Sequence, residues 1–220
     1  MTVGILGTGR MGTALAHALA AAGEEVLLCS ARPGWPASAG DHCGVPVSLS
    51  DLVLSAGLVL LAVPFPVAVA FASGPAGRLG AGRTLVDATN PGQGAQRTVS
   101  PEISGGELIA EAAPAWQVAK AFNTLPADQV AACRLGGAAV TVPIAGSPAA
   151  KVQVSALARR LGFEPLDAGG IEASRHLESL AALLIRVSTE HHLHGRIGIH
   201  IGQPERPAAV APATARRRQS

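Results

Sequence analysis

Residues 2–12, T-V-G-I-L-G-T-G-R-M-G, have the types and spacing to grip a diphosphate. A short apolar run, residues 3–6, enters a turn spaced Gly7-x-Gly9-x-x-Gly12, and an alanine-rich helical stretch, residues 13–22, follows at once. Gly7 permits a tight turn, Gly9 lets backbone N–H groups approach the phosphates, and Gly12 lets the helix pack close to the strand. A side chain at Gly9 would block that approach, with some loss of stability. The helix N-terminus then offers unpaired donors and the positive end of its dipole. The spacing of Gly7, Thr8, Gly9, Arg10, Met11 and Gly12 is weak evidence by itself. A strand before it and a helix after it make it a dinucleotide site.

The end of the next apolar segment, residues 25–30, selects between two coenzymes. NAD enzymes place an Asp or Glu there, about 20 residues beyond the glycines, to take the ribose hydroxyls. Here the chain reads Cys29-Ser30-Ala31-Arg32, with no carboxylate. A carboxylate would repel a 2′-phosphate, whereas the Ser30 hydroxyl and the Arg32 guanidinium both donate to one. NADP is the expected coenzyme, and an ordinary loop arginine is the alternative for Arg32.

Ligands of open α/β sheets lie outside the carboxyl ends of the strands. That rule selects residues 63–65, 87–91, 121–126 and 146–147, none of which contains a Ser/His/Asp set or a carboxylate pair beside a nucleophile. Hydride transfer needs neither, because aligning donor and acceptor carbons is most of the work. No side chain is therefore assigned a catalytic role. Asp87 fits a cap before a turn better than an acid. Lys120, one of two lysines, lies inside a strand pattern and reads as structural. Asn123 could hold a carboxamide or ring carbonyl, or satisfy its own loop. His191, His192 and His194 suit the end of a helix through its dipole, and with no acid or Cys at ligand spacing no metal is expected. Cys29, Cys43 and Cys133, odd in number and scattered, read as free thiols.

Strands that could carry these ends recur through the chain. Residues 57–63 form a continuous apolar run of the kind buried on both faces of a parallel sheet, and residues 83–87 and 117–122 are further strands. Helical patterns fall at 48–55, 67–79, 102–112, 149–161 and 175–192, with strands at 138–145 and 163–167. On the last helix Leu177, Leu180, Ala181, Leu184 and Val187 share one face. The alternation predicts an α/β fold: a right-handed, doubly wound parallel sheet with a small C-terminal α/β extension. The expected division is a nucleotide-binding domain at 1–122, a small domain at 123–202 that completes the cleft, and a disordered tail at 203–220.

Composition closes off other classes. Hydrophobic residues are 48% of the 220 and charged ones 15%, which excludes wholesale disorder. The formal charge of +2 is misleading, since the tail holds four Arg against one Glu and leaves the body at −1. Such a body lacks the footprint of a nucleic-acid binder. No apolar run reaches the roughly 18 residues a membrane span needs, and the chain opens into a strand without a basic leader, so a cytoplasmic protein is expected.

With these residues in place, residues 2–202 resemble the NADPH-dependent F420 reductase family, the F420H2:NADP oxidoreductases. The resemblance rests on G-T-G-R-M-G at 7–12, S-A-R at 30–32, A-V-P-F at 62–65, D-A-T-N-P at 87–91 and A-F-N-T-L-P-A at 121–127. L-D-A-G-G at 166–170, S-R-x-L-E-S-L at 174–180 and G-R-I-G-I at 195–199 complete the ordered set. It implies a Rossmann domain, a C-terminal extension, and two cofactors, NADP and coenzyme F420, meeting in the cleft. Thr8, Gly9, Arg10 and Met11 would wrap the diphosphate, and Ser30 with Arg32 would hold the 2′-phosphate. Val63, Phe65, Val69 and Asn90 would line the track toward the nicotinamide. Asn123, Leu125, Pro126 and Ala127 would face the nicotinamide or deazaflavin, with Ile197 closing the pocket. Hydride would pass directly between the two rings, without a metal. The resemblance also implies a homodimer, for which Leu180, Leu184 and Val187 could serve if they do not pack internally.

The chain departs from archaeal members of that family in having Ala31 directly after Ser30, where they carry a basic residue, and Asn123 where they carry His. The acceptor therefore stays open among F420, a flavin, and an imine or hydroxyacid. A nucleotide-binding protein without turnover is the alternative from another class. Imine and hydroxyacid reductases append a large helical domain, for which the roughly 80 residues after Phe122 leave little room.

Overall fold

A computed structural model describes residues 1–31, 43–92 and 102–202. Arg32 and the segment 203–220 lie outside the described residues. The strands are β1 (Thr2–Leu6), β2 (Glu25–Cys29), β3 (Val45–Pro46), β4 (Leu58–Leu61), β5 (Thr84–Asp87), β6 (Gln117–Lys120), β7 (Arg134–Leu135), β8 (Ala138–Ala139), β9 (Thr141–Gly146) and β10 (Glu164–Gly169). The helices are α1 (Arg10–Ala21), α2 (Leu49–Ser55), α3 (Phe65–Ser73), α4 (Gly105–Ala112), α5 (Ala127–Val130), α6 (Pro148–Arg160) and α7 (Ser174–Glu190).

Eight strands form one sheet in the order β10-β9-β6-β5-β4-β1-β2-β3, and β7 pairs with β8 in a separate ribbon. From β3 through β6 all neighbours are parallel, and the order is that of a doubly wound dinucleotide-binding sheet. The expected doubly wound sheet is present, with one antiparallel seam. β9 runs antiparallel to β6, with Ala119 opposite Gly146 and Lys120 opposite Ala145, while β10 is parallel to β9. The β9-α6-β10 unit thus extends the same sheet with its direction reversed. Residues 138–145, one strand by pattern, are broken at Val140 into β8 and β9.

Alternation within the strands builds two apolar layers. Val3, Ile5, Leu58 and Leu60 point to one face and pack with Leu15, Leu19, Val154 and Leu157 of α1 and α6. Leu6, Val59 and Leu61 point to the other and pack with Leu52, Phe71 and Ile109 of α2, α3 and α4. All four β4 side chains are fully buried, which is the reason that segment reads as an unbroken apolar run. Gly4 lets α2 approach β1, because a Cβ there would lie 2.9 Å from atoms of Ala56 and Leu52.

Helix α7 docks through its S-R-x-L-E segment. Leu177, Ala181 and Leu184 are its buried apolar side chains, whereas Leu183 and Ile185 are exposed. Leu184 packs within the chain and is not free for a dimer surface. Ser104 caps α4 in a capping box with Glu107, and Arg175 of α7 donates to both Glu107 carboxylate oxygens at 2.8 and 2.6 Å. The Arg175 contact, with help from Ser104, lowers the Glu107 pKa to about 2. A depressed carboxylate contributes stability that is present above its ordinary value of 4.5 and lost as pH falls toward 2. Arg175→Gln should therefore unfold at lower urea than wild type near neutral pH, and the gap should narrow below about pH 4. A gap independent of pH would remove this assignment.

Candidate functional site

The glycine turn brings bare amides to the rim of a cleft. Gly7 has φ +120°, and a Cβ there would sit 2.2 Å from the Ala62 carbonyl oxygen. At Gly12 a Cβ would meet the Gly7 carbonyl at 1.9 Å. These two glycines serve the chain's own crossing. Gly9 differs: it is extended at φ −80°, ψ −175°, and an added Cβ would touch nothing within 4 Å. Gly9 is also the N-cap of α1, with no side-chain cap and no acidic residue in the first turn. The first amides of a twelve-residue helix are thus without intrahelical partners at the edge of the cleft. This arrangement fits a diphosphate.

The cleft has a volume of about 750 Å³. Of the residues singled out from sequence, it is lined by Gly9, Arg10, Met11, Val63, Phe65, Asn90, Asn123, Leu125, Pro126, Ala127 and Ile197. Thr8 and Ser30 stand together beside it, their hydroxyls 3.4 Å apart at the ends of β1 and β2. Val69 does not reach it, and instead packs from α3 against the apolar layer below. Arg32, assigned to the 2′-phosphate, lies outside the described residues. Arg10 reaches over the rim to Asp128 of α5, its terminal nitrogen 2.9 Å from both carboxylate oxygens, with both side chains largely exposed.

Strand ends and one helix make the walls. Asn90 and Asn123 are tied together: Asn90 Nδ2 donates to the Asn123 carbonyl at 2.8 Å, and Asn123 Nδ2 donates to Asn90 Oδ1 at 2.9 Å. Asn123 Nδ2 also donates to the Leu177 carbonyl at 3.1 Å. The opposite wall, missed from sequence, is α7, through Ala181, Leu184, Ile185 and Ser188. Its only trace in sequence was the helical period of Leu177, Ala181 and Leu184. Thr89 and Thr124 complete the polar floor. Asp87 does cap its turn, its Oδ1 accepting from Thr89 N at 2.9 Å and Thr89 Oγ1 at 2.7 Å. Burial pushes the Cys29 thiol up, away from the thiolate a nucleophile would need.

Comparison with known proteins agrees with this geometry. Residues 2–91 match the family of NADP oxidoreductases described as coenzyme F420-dependent. The matched segment is 90 of the 220 residues. It holds the glycine turn, Ser30, Phe65 and Asn90. A crystal structure from Arthrobacter sp. FB24, provisionally assigned as an F420-dependent NADP reductase, is 28% identical, covers 92% of this chain and all of its own, and superposes with a TM-score of 0.80. A hypothetical protein from Sinorhizobium meliloti is 30% identical over 79% of this chain and 87% of its own, with a TM-score of 0.69. The rat Metalloreductase STEAP3 is 31% identical over 83% of this chain, which spans only 37% of that protein. An imine reductase from Pseudomonas sp., at 16% identity over 88% of this chain and 64% of its own with a TM-score of 0.65, shares the fold. Among the described residues, no helix is long and apolar enough to cross a membrane.

Two substitutions should separate the glycines. Gly9→Val should melt within about 2–4 °C of wild type, the shift roughly 1 kcal/mol gives a chain of this size, yet fail to bind NADPH in a calorimetric titration. Its stability loss should be small because its Cβ would point into open space. Gly12→Val should instead fold poorly, since the clash is with backbone. Equal melting of the two variants would contradict this division.

Proposed function

We propose that the chain is an NADPH-dependent reductase that passes a hydride directly to a flat redox cofactor, the deazaflavin F420, in this cleft. The observation that carries the reading is that the uncapped start of α1 and the Asn90–Asn123 pair open into one space. A diphosphate on the helix start would leave the nicotinamide arm of the coenzyme to run along Val63 and Phe65 toward Asn123. NADPH supplies the hydride when bound. The chain supplies alignment and a water-poor wall: Leu125, Pro126, Leu184 and Ile197 present apolar surface, and the asparagines offer polar anchors at the floor. The family match of residues 2–91 and the Arthrobacter relative support F420 as acceptor.

A second reading takes another acceptor, a flavin among them, since the STEAP3 relative is named a metalloreductase and not an F420 enzyme. An imine or hydroxyacid acceptor gains only a shared fold at 16% identity. The small redox molecule is proposed as the partner, in a cytoplasmic homodimer, with neither nucleic acid nor membrane bound.

The acceptor is tested by mixing protein and NADPH with oxidised F420 and following the deazaflavin absorbance. Bleaching supports the first reading. Reduction of FMN alone supports the second, and NADPH binding without oxidation of either makes the chain a nucleotide-binding protein. Arg32→Ala should weaken NADPH by about 1–3 kcal/mol, the worth of a charge-assisted hydrogen bond, and leave NADH almost unchanged. Equal losses for both nucleotides would remove the 2′-phosphate assignment.

A further inference from the structure

The cleft floor turns on a backbone conformation that its own residue does not favour. Phe122 has φ +62°, in the left-handed region that bulky side chains rarely adopt. Such a residue persists only where its surroundings over-determine it. Its ring is buried and meets Phe163 edge-on at 6.4 Å between centroids. On the downstream side, Asn123 is fixed by its bonds to Asn90 and to the Leu177 carbonyl.

Upstream, two residues before the bend, stands Lys120, wholly shielded from solvent. Its ammonium lies 2.6 Å from Asp87 Oδ2 and 2.9 Å from Glu178 Oε1. Asp87 faces Lys120 in the β5–β6 register and precedes Asn90 by three residues. Glu178 directly follows Leu177. Each segment that holds Asn123 is thus pinned by one arm of the same ion cluster. Two carboxylates against one ammonium would leave an excess negative charge. The Gly105 and Gly106 amides at the start of α4 donate to Glu178 at 3.2 and 3.1 Å and offset it. Gly106 must be glycine for this, because a Cβ there would lie 2.3 Å from Ser174 Oγ.

We propose that Lys120 is a positioning residue for the cleft. It holds the bend at Phe122, and with it the direction of Asn123 and the distance between α7 and the glycine turn. A buried ion pair is weak evidence for stability and finds its better-attested use in fixing one geometry among several. The proposal rests on the reading above, in which the nicotinamide end of NADPH reaches Asn123 while the adenosine end stays near the glycine turn.

The two ends can be tested separately. Wild type, Lys120→Met and Glu178→Gln would each be titrated with NADPH and with 2′,5′-ADP, which carries the 2′-phosphate but no nicotinamide. Lys120→Met should bind NADPH about tenfold more weakly, the effect of losing one placed polar contact, and 2′,5′-ADP within about twofold of wild type. That variant leaves two carboxylates facing each other and could fail to fold. Glu178→Gln keeps the Lys120–Asp87 pair and should show the same split, about threefold on NADPH alone. A loss shared equally by both ligands in a folded variant, or no loss at all, would overturn the positioning role. A wild type that binds 2′,5′-ADP but not NADPH would also overturn it, while one that binds neither would overturn the nucleotide reading itself.

Discussion

The glycine turn works because two of its positions carry no side chain where the backbone crosses itself. Gly7 passes under the Ala62 carbonyl at the end of β4, and Gly12 sits against the Gly7 carbonyl. Any Cβ at either place would push α1 away from the sheet. The start of α1 would then no longer face the ends of β4, β5 and β6, and the amides that suit a diphosphate would point elsewhere. Gly9 answers to a different constraint, since the protein leaves space around it and a ligand would use that space. One motif thus serves the fold at two positions and leaves open space at the third.

The sheet around this crossing is built almost wholly from aliphatic side chains, with no Tyr in the chain and aromatics at only 3%. Such a core packs well but sets few directions, because apolar contact is non-directional. Direction comes from a small number of buried polar groups. The Asp87–Lys120–Glu178 cluster fixes β5, β6 and α7 relative to one another just beneath the cleft. At the far side, Arg83 plays a similar part: its guanidinium donates to carbonyls of Val53, Ala56 and Leu79 and stacks 5.4 Å from the Trp116 ring. Both sites spend a cation to settle geometry that leucine and valine leave free.

The antiparallel joining of β9 to β6 matters for the same cleft. The reversal lets β9-α6-β10 extend the sheet past β6 and then delivers the chain to α7. α7 can then lie beside the strand ends as a second wall. Its Glu178 reaches the buried Lys120, and its Leu184 and Ile185 face the cleft. The Arg10–Asp128 pair spans the rim between the glycine turn and α5. An anion at the turn would compete with Asp128 for that guanidinium.

Much of this was legible in the chain itself. Backbone sterics are local, so Gly7-x-Gly9-x-x-Gly12 between an apolar run and an alanine-rich stretch announces strand, turn and helix without any partner. The buried β4 run and the alternation of periods gave the doubly wound class for a similar reason, since periodicity reports which faces are apolar. Tertiary structure alone decided the rest. The sign of the β6–β9 pairing depends on where a distant strand docks. Val69 took its place through packing that no period reveals, and the period that marks the apolar face of α7 does not say that Leu184 would line the cleft. Lys120 read as one structural lysine in a strand. Its partners are 33 and 58 residues away, and only the folded chain brings those charges within 3 Å of each other.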